Sequence, residues 1–191
     1  MTSPLLSVII PCGPADEERL DELLASLKRQ TLPQDQYEIL VIREGNSEEA
    51  KAIGIHKAQG EVLGLFCTDN VIRDPHFLSS MLWYTRQKDV CGAYTAQYDH
   101  IRGDKPLSRY FALLGANDPL CWWLGKADRQ DYLNGKPSWL HKASFPEAIP
   151  SIGDNGFFIK RDIMLRANPR PETHFCIDAI EDLRKLGYFT Y

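Results

Sequence analysis

Little in this chain marks a secreted, zinc-bound or membrane-spanning protein. Its cysteines, Cys12, Cys67, Cys91, Cys121 and Cys176, are odd in number and far apart, and no CxxC pair occurs. That spacing supports neither a disulfide framework nor a structural zinc site, and it fits a reducing compartment. No stretch approaches the roughly 18 consecutive apolar residues of a membrane span. The opening MTSPLLSVIIPCGP lacks a basic leader and a small-residue cleavage site, so it does not read as a signal peptide. A cytoplasmic location is expected, in solution or peripheral to a membrane. Positive charge is also scarce: 22 Lys and Arg stand against 26 Asp and Glu, a formal net charge of -4. The chain therefore lacks the basic face of a nucleic-acid binder. Repeats, low-complexity tracts and Gly/Ser linkers are missing too. What is there, 191 residues of which 43% are hydrophobic, is enough for one domain with a sizeable core.

Leu5 to Pro11 is a continuous apolar run closed by proline, the pattern of a strand buried on both faces of a parallel sheet. Asp16, Glu17 and Glu18 then place negative charge where a helix start favours it, and Leu20, Leu23, Leu24 and Leu27 follow on one helical face. A second run, Tyr37 to Ile42, leads through the polar turn Arg43 to Ser47 into a helix starting at Glu48. A third, Glu61 to Phe66, delivers the loop Cys67, Thr68, Asp69 and Asn70. Strands alternating with helices predict right-handed βαβ units, an α/β fold whose parallel sheet is covered on both sides. Ligands of such sheets collect beyond the carboxyl ends of the strands. Pro11 to Asp16, Arg43 to Ser47 and Cys67 to Asn70 should therefore share one pocket.

From about residue 90 the pattern changes. Val90 to Tyr98 reads as a strand, Leu107 to Asp128 as an aromatic-rich helix, Gly156 to Lys160 as a short strand and Ile177 to Leu186 as the last helix. This second half reads as the wall facing whatever reacts with the first half's ligand.

Glycine-rich phosphate cradles are absent. Dinucleotide oxidoreductases place GxGxxG directly after the first strand; here the segment is PCGPAD, and no Walker loop occurs. A nucleotide pocket without such a cradle would need a divalent metal to neutralise the phosphates.

Five segments in order, SVIIPCG, EILVIREGNS, AKAIGIHKAQGEVLGLFCTDN, DPHFL and IGDNGFFIKR, resemble the successive motifs of family 2 glycosyltransferases with the GT-A fold. The resemblance runs from Leu6 to about Tyr188 and is most specific between Ala50 and Asp69. It implies a Rossmann-like mixed, mostly parallel sheet sandwiched by helices, with a nucleotide-sugar-binding half over residues 1–98 and an acceptor-side half over 99–191. It also implies transfer of a sugar from a nucleotide-sugar donor to an acceptor hydroxyl, with inversion and with Mg²⁺ or Mn²⁺. The acceptor would be a glycan or a lipid-linked molecule.

Carried over by position, the resemblance sets Pro11 against the nucleoside and Glu44 where an acid after the second strand reads base or ribose. Arg43 replaces the acid that usually precedes it. The alternative is a solvated Arg43–Glu44 pair on a turn. Lys51 stands where a cation approaches the pyrophosphate, or else is a solvent-facing helix lysine. CTDN aligns with the DxD-type metal motif. Asp69 is then the metal ligand and donor-site acid, and Cys67 occupies the first acidic position, where a thiol suits Mg²⁺ or Mn²⁺ poorly.

Asp154 and Asn155 fall at acceptor-side positions. Asp178, at the start of the last helix, is the expected catalytic base, with Glu181 as the alternative. Trp122, Trp123 and Trp139 are candidates to stack on a sugar, of which one is expected to face ligand. His174 and His56 read as structural and surface residues. The resemblance further implies a continuation past Tyr191, into another strand and often a metal-binding histidine.

Cys67, Arg43 and Ala52 depart from the usual residues and motivate a second expectation: a glycosyltransferase-like domain that binds nucleotide sugar or glycan without transferring it. A sugar nucleotidyltransferase would need a GxGTR-like loop after the first strand, which PCGPADEER does not supply.

Overall fold

The computed structural model describes residues 3–88, 90–93, 103, 105–107, 109, 156–167 and 172. They form five strands and four α-helices: β1 (Leu6–Pro11), α1 (Glu17–Lys28), β2 (Tyr37–Ile42), α2 (Ser47–Lys57), β3 (Val62–Leu65), α3 (Phe77–Thr85), β4 (Gly92–Ala93), β5 (Phe157–Lys160) and α4 (Arg161–Ala167). The sheet order is β2-β1-β3-β5-β4. β1 pairs in parallel with β2, from Leu6 opposite Tyr37 to Pro11 opposite Ile42, and with β3, from Leu6 opposite Val62 to Ile9 opposite Leu65. β5 runs antiparallel to both β3 and β4. The sheet is thus mixed and mostly parallel, as expected, with a strand from the second half of the chain set between two from the first.

Alternation along the central strand explains the layers. Leu6, Val8 and Ile10 of β1 join a core with Leu20, Leu23 and Leu27 of α1 and Leu78, Met81 and Leu82 of α3. Ile9 points the other way, into a core with Ile55 of α2 and Ile163 and Met164 of α4. Period two on the strand therefore assigns each helix its face of the sheet. On the first face Phe66, Phe77 and Phe158 meet edge to face, with centroids 5.7 to 6.3 Å apart. On the second, α2 approaches β1 closely at Gly54, where any Cβ would overlap Ile9 Cγ2.

The start of α2 is strongly specified. Asn46 Oδ1 accepts hydrogen bonds from the N–H groups of Glu48 and Glu49, and the Glu49 carboxylate accepts from the Asn46 N–H. This reciprocal box follows Gly45, whose φ of 75° lies in the left-handed region. At the opposite edge of the sheet, buried Ser7 donates its hydroxyl to Glu38 (2.6 Å) and accepts from the Gly60 N–H (2.8 Å). Glu38 also accepts from the Gln59 N–H. These bonds tie β1, β2 and the turn into β3 together.

The expected Tyr37–Ile42 strand is found with those limits, and the neighbouring runs are trimmed by about one residue. Of the expected Val90–Tyr98 strand, Gly92 and Ala93 are paired, and 94–98 lie outside the described residues. The expected last helix lies wholly outside them, as does nearly all of the Leu107–Asp128 helix. Among the described residues no helix is long and apolar enough to cross a membrane.

Candidate functional site

The carboxyl ends of β1, β2 and β3 open into a cleft of about 320 Å³. All three polar segments singled out in the sequence contribute to it. β1 supplies Pro11, Cys12 and Gly13. The next turn and α1 add Asp16 and Arg19, and Gly45, Asn46, Ser47 and Ala50 close the side beyond β2. Cys67, Thr68 and Asp69 form the side beyond β3. The topology explains this convergence: parallel strands end at the same edge, so the turns after them must share it.

The β3 loop has a defined shape. Asn70 Oδ1 accepts from the Cys67 N–H at 3.0 Å, and the Asn70 N–H donates to the Cys67 carbonyl at 3.1 Å. Asn70 therefore spends its side-chain oxygen on holding the turn. Thr68 is buried, Cys67 half-buried and Asp69, which lines the cleft, exposed. Among the described residues no group of three or more His, Cys, Asp or Glu side chains is gathered to hold a metal. With Asp69 as the carboxylate of this loop, a hard divalent cation held there would have to keep several waters and take its other ligands from phosphates, the usual habit of Mg²⁺.

The expected site residues are distributed as follows. Pro11 and Asp69 line the cleft. Glu44 does not: its side chain is 72% exposed and lies 3.4 Å from the Lys57 ammonium. Arg43 turns to α1, where its guanidinium donates to both oxygens of Glu17 at 2.8 and 3.0 Å. The alternative, a solvated Arg43–Glu44 pair on the turn, is thus replaced by two separate ion pairs. The Arg43 fork holds the Glu17 carboxyl below its ordinary range, and the Arg43 guanidinium is raised in turn. Lys51 is buried at 2% exposure, with its ammonium 3.7 Å from Glu48 Oε2, and is not a solvent-facing residue. It does not line the cleft, although Ser47 and Ala50 of the same helix do. His56 is exposed, as its position suggested. Asp154, Asn155, Asp178, Glu181, His174 and the three tryptophans lie outside the described residues.

The sequence places Asp16 and Asn46 in segments expected to share the pocket but assigns neither a ligand role, and it does not mark Arg19. The available signal was an acid in the turn after the first strand with a cation three residues on, one helical turn away. Cys12 also reaches the cleft, but burial, and then the charge of Glu17, raise its thiol above the ordinary range, so it is a neutral wall residue.

No protein-family model matches the chain, and a search of curated proteins finds no match. Solved structures do match. The mannosyltransferase PcManGT from Pyrobaculum calidifontis, in complex with GDP-Man and Mn²⁺, aligns over 100% of this chain and 55% of its own, at 14% identity and a TM-score of 0.63. The S. aureus TarS fragment aligns over 94% of this chain and 54% of its own, at 15% identity and a TM-score of 0.56. In complex with UDP-GlcNAc, the same fragment aligns over 86% and 47%, at 15% identity and a TM-score of 0.53. The chain has the GT-A-like fold of these glycosyltransferases and spans about half of their length.

Proposed function

We propose that this chain is the donor-binding and catalytic domain of an inverting, family 2-like glycosyltransferase that moves a sugar from a nucleotide sugar to an acceptor hydroxyl. The observation that carries the reading is the cleft at the carboxyl ends of β1, β2 and β3, with Asp69 lining it. A nucleotide fits such a cleft without a glycine cradle if its phosphates meet a cation, and Asp69 would hold Mg²⁺ or Mn²⁺ together with them. Bound there, the cation would offset the charge that develops on the departing nucleoside diphosphate. The solved relatives were captured with GDP-Man and Mn²⁺ in one case and UDP-GlcNAc in another. This supports a nucleotide-sugar ligand and leaves the base to the cleft's own residues.

In this reading Pro11 and the small residues beside it form the floor under the nucleoside. Glu44, expected at the donor, is paired with Lys57 outside the cleft and would meet the ribose hydroxyls only by leaving that pair. Lys51 acts from beneath the cleft wall, where a buried cation adds positive potential toward the phosphates. Asp154 and Asn155 bind the acceptor, a glycan or lipid-linked molecule, and Asp178 takes the proton from its hydroxyl as the bond to the anomeric carbon forms.

The test is calorimetric titration of the chain with nucleoside diphosphates, with and without Mn²⁺, followed by transfer assays on a panel of nucleotide sugars. Asp69→Ala should abolish the Mn²⁺-dependent part of binding, a loss of a few kcal/mol for a group opposite the leaving charge. Unchanged affinity in that variant removes the metal assignment. Turnover that disappears in Asp178→Asn supports transfer.

A second reading, binding without transfer, is favoured by one feature: Cys67 supplies a thiol where the metal motif usually has a carboxylate. Metal-dependent binding with no turnover on any donor would select it.

A further inference from the structure

Among the described residues the cleft is lined by one acidic residue besides Asp69, Asp16. Asp16 stands at the N-cap position of α1 but its side chain makes no capping hydrogen bond. Among the described residues its charged neighbour is Arg19, with Nη1 3.9 Å from Oδ1, too far for a hydrogen bond. Both carboxylate oxygens therefore keep acceptor capacity for a ligand. Oδ2 lies over Gly13, 3.2 Å from where a Cβ would stand there. The Glu17–Arg43 fork ties the first turn of α1 to the end of β2.

In the order β2-β1-β3, strands about 4.8 Å apart put the ends of β2 and β3 roughly 10 Å from each other. That span suits a nucleoside diphosphate lying across the sheet edge. This placement rests on the donor reading above, which puts the pyrophosphate at Asp69. The base then falls toward β2, over a floor of Pro11, Ile42, Gly45 and Ala50, apolar or too small to obstruct a flat ring.

We propose that Asp16 and Arg19 read the edge of the donor's base and select guanine. A carboxylate with both oxygens available is matched by two adjacent N–H donors. Guanine presents such a pair, N1–H beside the N2 amine. Uracil presents one N–H flanked by carbonyls that would repel the second oxygen. Cytosine and adenine present one amine beside an acceptor nitrogen. Arg19, one turn along the helix, supplies donors to guanine O6 and N7, the bidentate match of a guanidinium. Glu44, turned toward Lys57 outside the cleft, is not needed for the base.

The experiment is titration of the full chain with GDP, UDP, ADP, CDP and xanthosine diphosphate in Mn²⁺, with thermal melts of each variant as a folding control. Wild type should prefer GDP, and Asp16→Asn should weaken GDP by about 10- to 100-fold while leaving UDP within about threefold, the scale of one bidentate base contact. The same variant should gain xanthosine diphosphate, whose O2 accepts from the new amide where guanine's amine donated. Arg19→Ala should weaken GDP without moving the melt. Preference for UDP, ADP or CDP, or an equal loss for all nucleotides in Asp16→Asn, overturns the base assignment and leaves the donor reading standing. If wild type binds none of the nucleotides, the donor reading falls and this one with it.

Discussion

Gly54 is the position where the packing of α2 on β1 leaves no room for a side chain, and Gly54→Ala therefore sets two effects against each other. Alanine favours a helix interior over glycine by roughly 0.8 to 1 kcal/mol. Against this, the new methyl would overlap Cγ2 of Ile9, a fully buried residue of the central strand. Overpacking of a closed core costs about 1 to 3 kcal/mol, and an overlap this deep with a fully buried atom falls in the upper part of that range, so the net effect should be a loss of about 1 to 2 kcal/mol. For a domain of this size that is a fall in Tm of about 2 to 8 °C. The cost should depend on Ile9. Ile9→Ala alone costs about 2 to 5 kcal/mol by opening a cavity, but it removes the atom that the new methyl meets. On that background Gly54→Ala should cost nothing or stabilise by up to about 1 kcal/mol, the helix preference unopposed. Urea unfolding of the four proteins measures the coupling. A Gly54→Ala variant as stable as wild type, or an equal cost on both backgrounds, would refute the reasoning. Because Ser47 and Ala50 of α2 line the cleft, weakened nucleotide binding in the single variant is expected alongside the loss of stability.

Two further outcomes are expected. Ser7→Ala leaves the Gly60 N–H without its acceptor and takes a donor from Glu38. Its urea midpoint should fall by the equivalent of about 1 to 3 kcal/mol with an unchanged slope, and a midpoint equal to wild type contradicts the network. Alkylation of the native protein at pH 8, followed by peptide mass spectrometry, should label Cys67 before Cys12 and Cys91. Cys67 is half-buried at the cleft, whereas burial pushes the Cys91 thiol up to about 12, leaving almost no thiolate to react. Mn²⁺ with a bound nucleoside diphosphate should slow labelling of Cys67, and equal rates at Cys67 and Cys91 would count against the burial of Cys91.

The sequence by itself determined the three parallel strands, the helices between them and the edge at which their turns meet. These follow from local causes: continuous apolar runs, a leucine face at helical spacing, and polar turns that open the helices, all of which act within a few residues. It also marked Asp69 as the carboxylate beyond the third strand. Tertiary structure decided what each polar side chain of those turns does. Arg43 and Glu44 are adjacent in sequence but diverge because Glu17 and Lys57, 26 and 13 residues away, take one each. Lys51 is buried because α2 turns that face inward, and a helix whose apolar residues form no clear stripe does not announce the fact. Asp16 looks like an ordinary helix-start acid until the end of β2 is brought against α1, which places an uncommitted carboxylate in the cleft. The place of β5 between β3 and β4 was likewise beyond local reading, since the strand lies nearly 100 residues downstream of β3 in the sequence and its pairing depends on partners that are not its neighbours along the chain. Periodicity and turn chemistry are properties of neighbours along the chain. Which charges meet across a cleft is a property of neighbours in space.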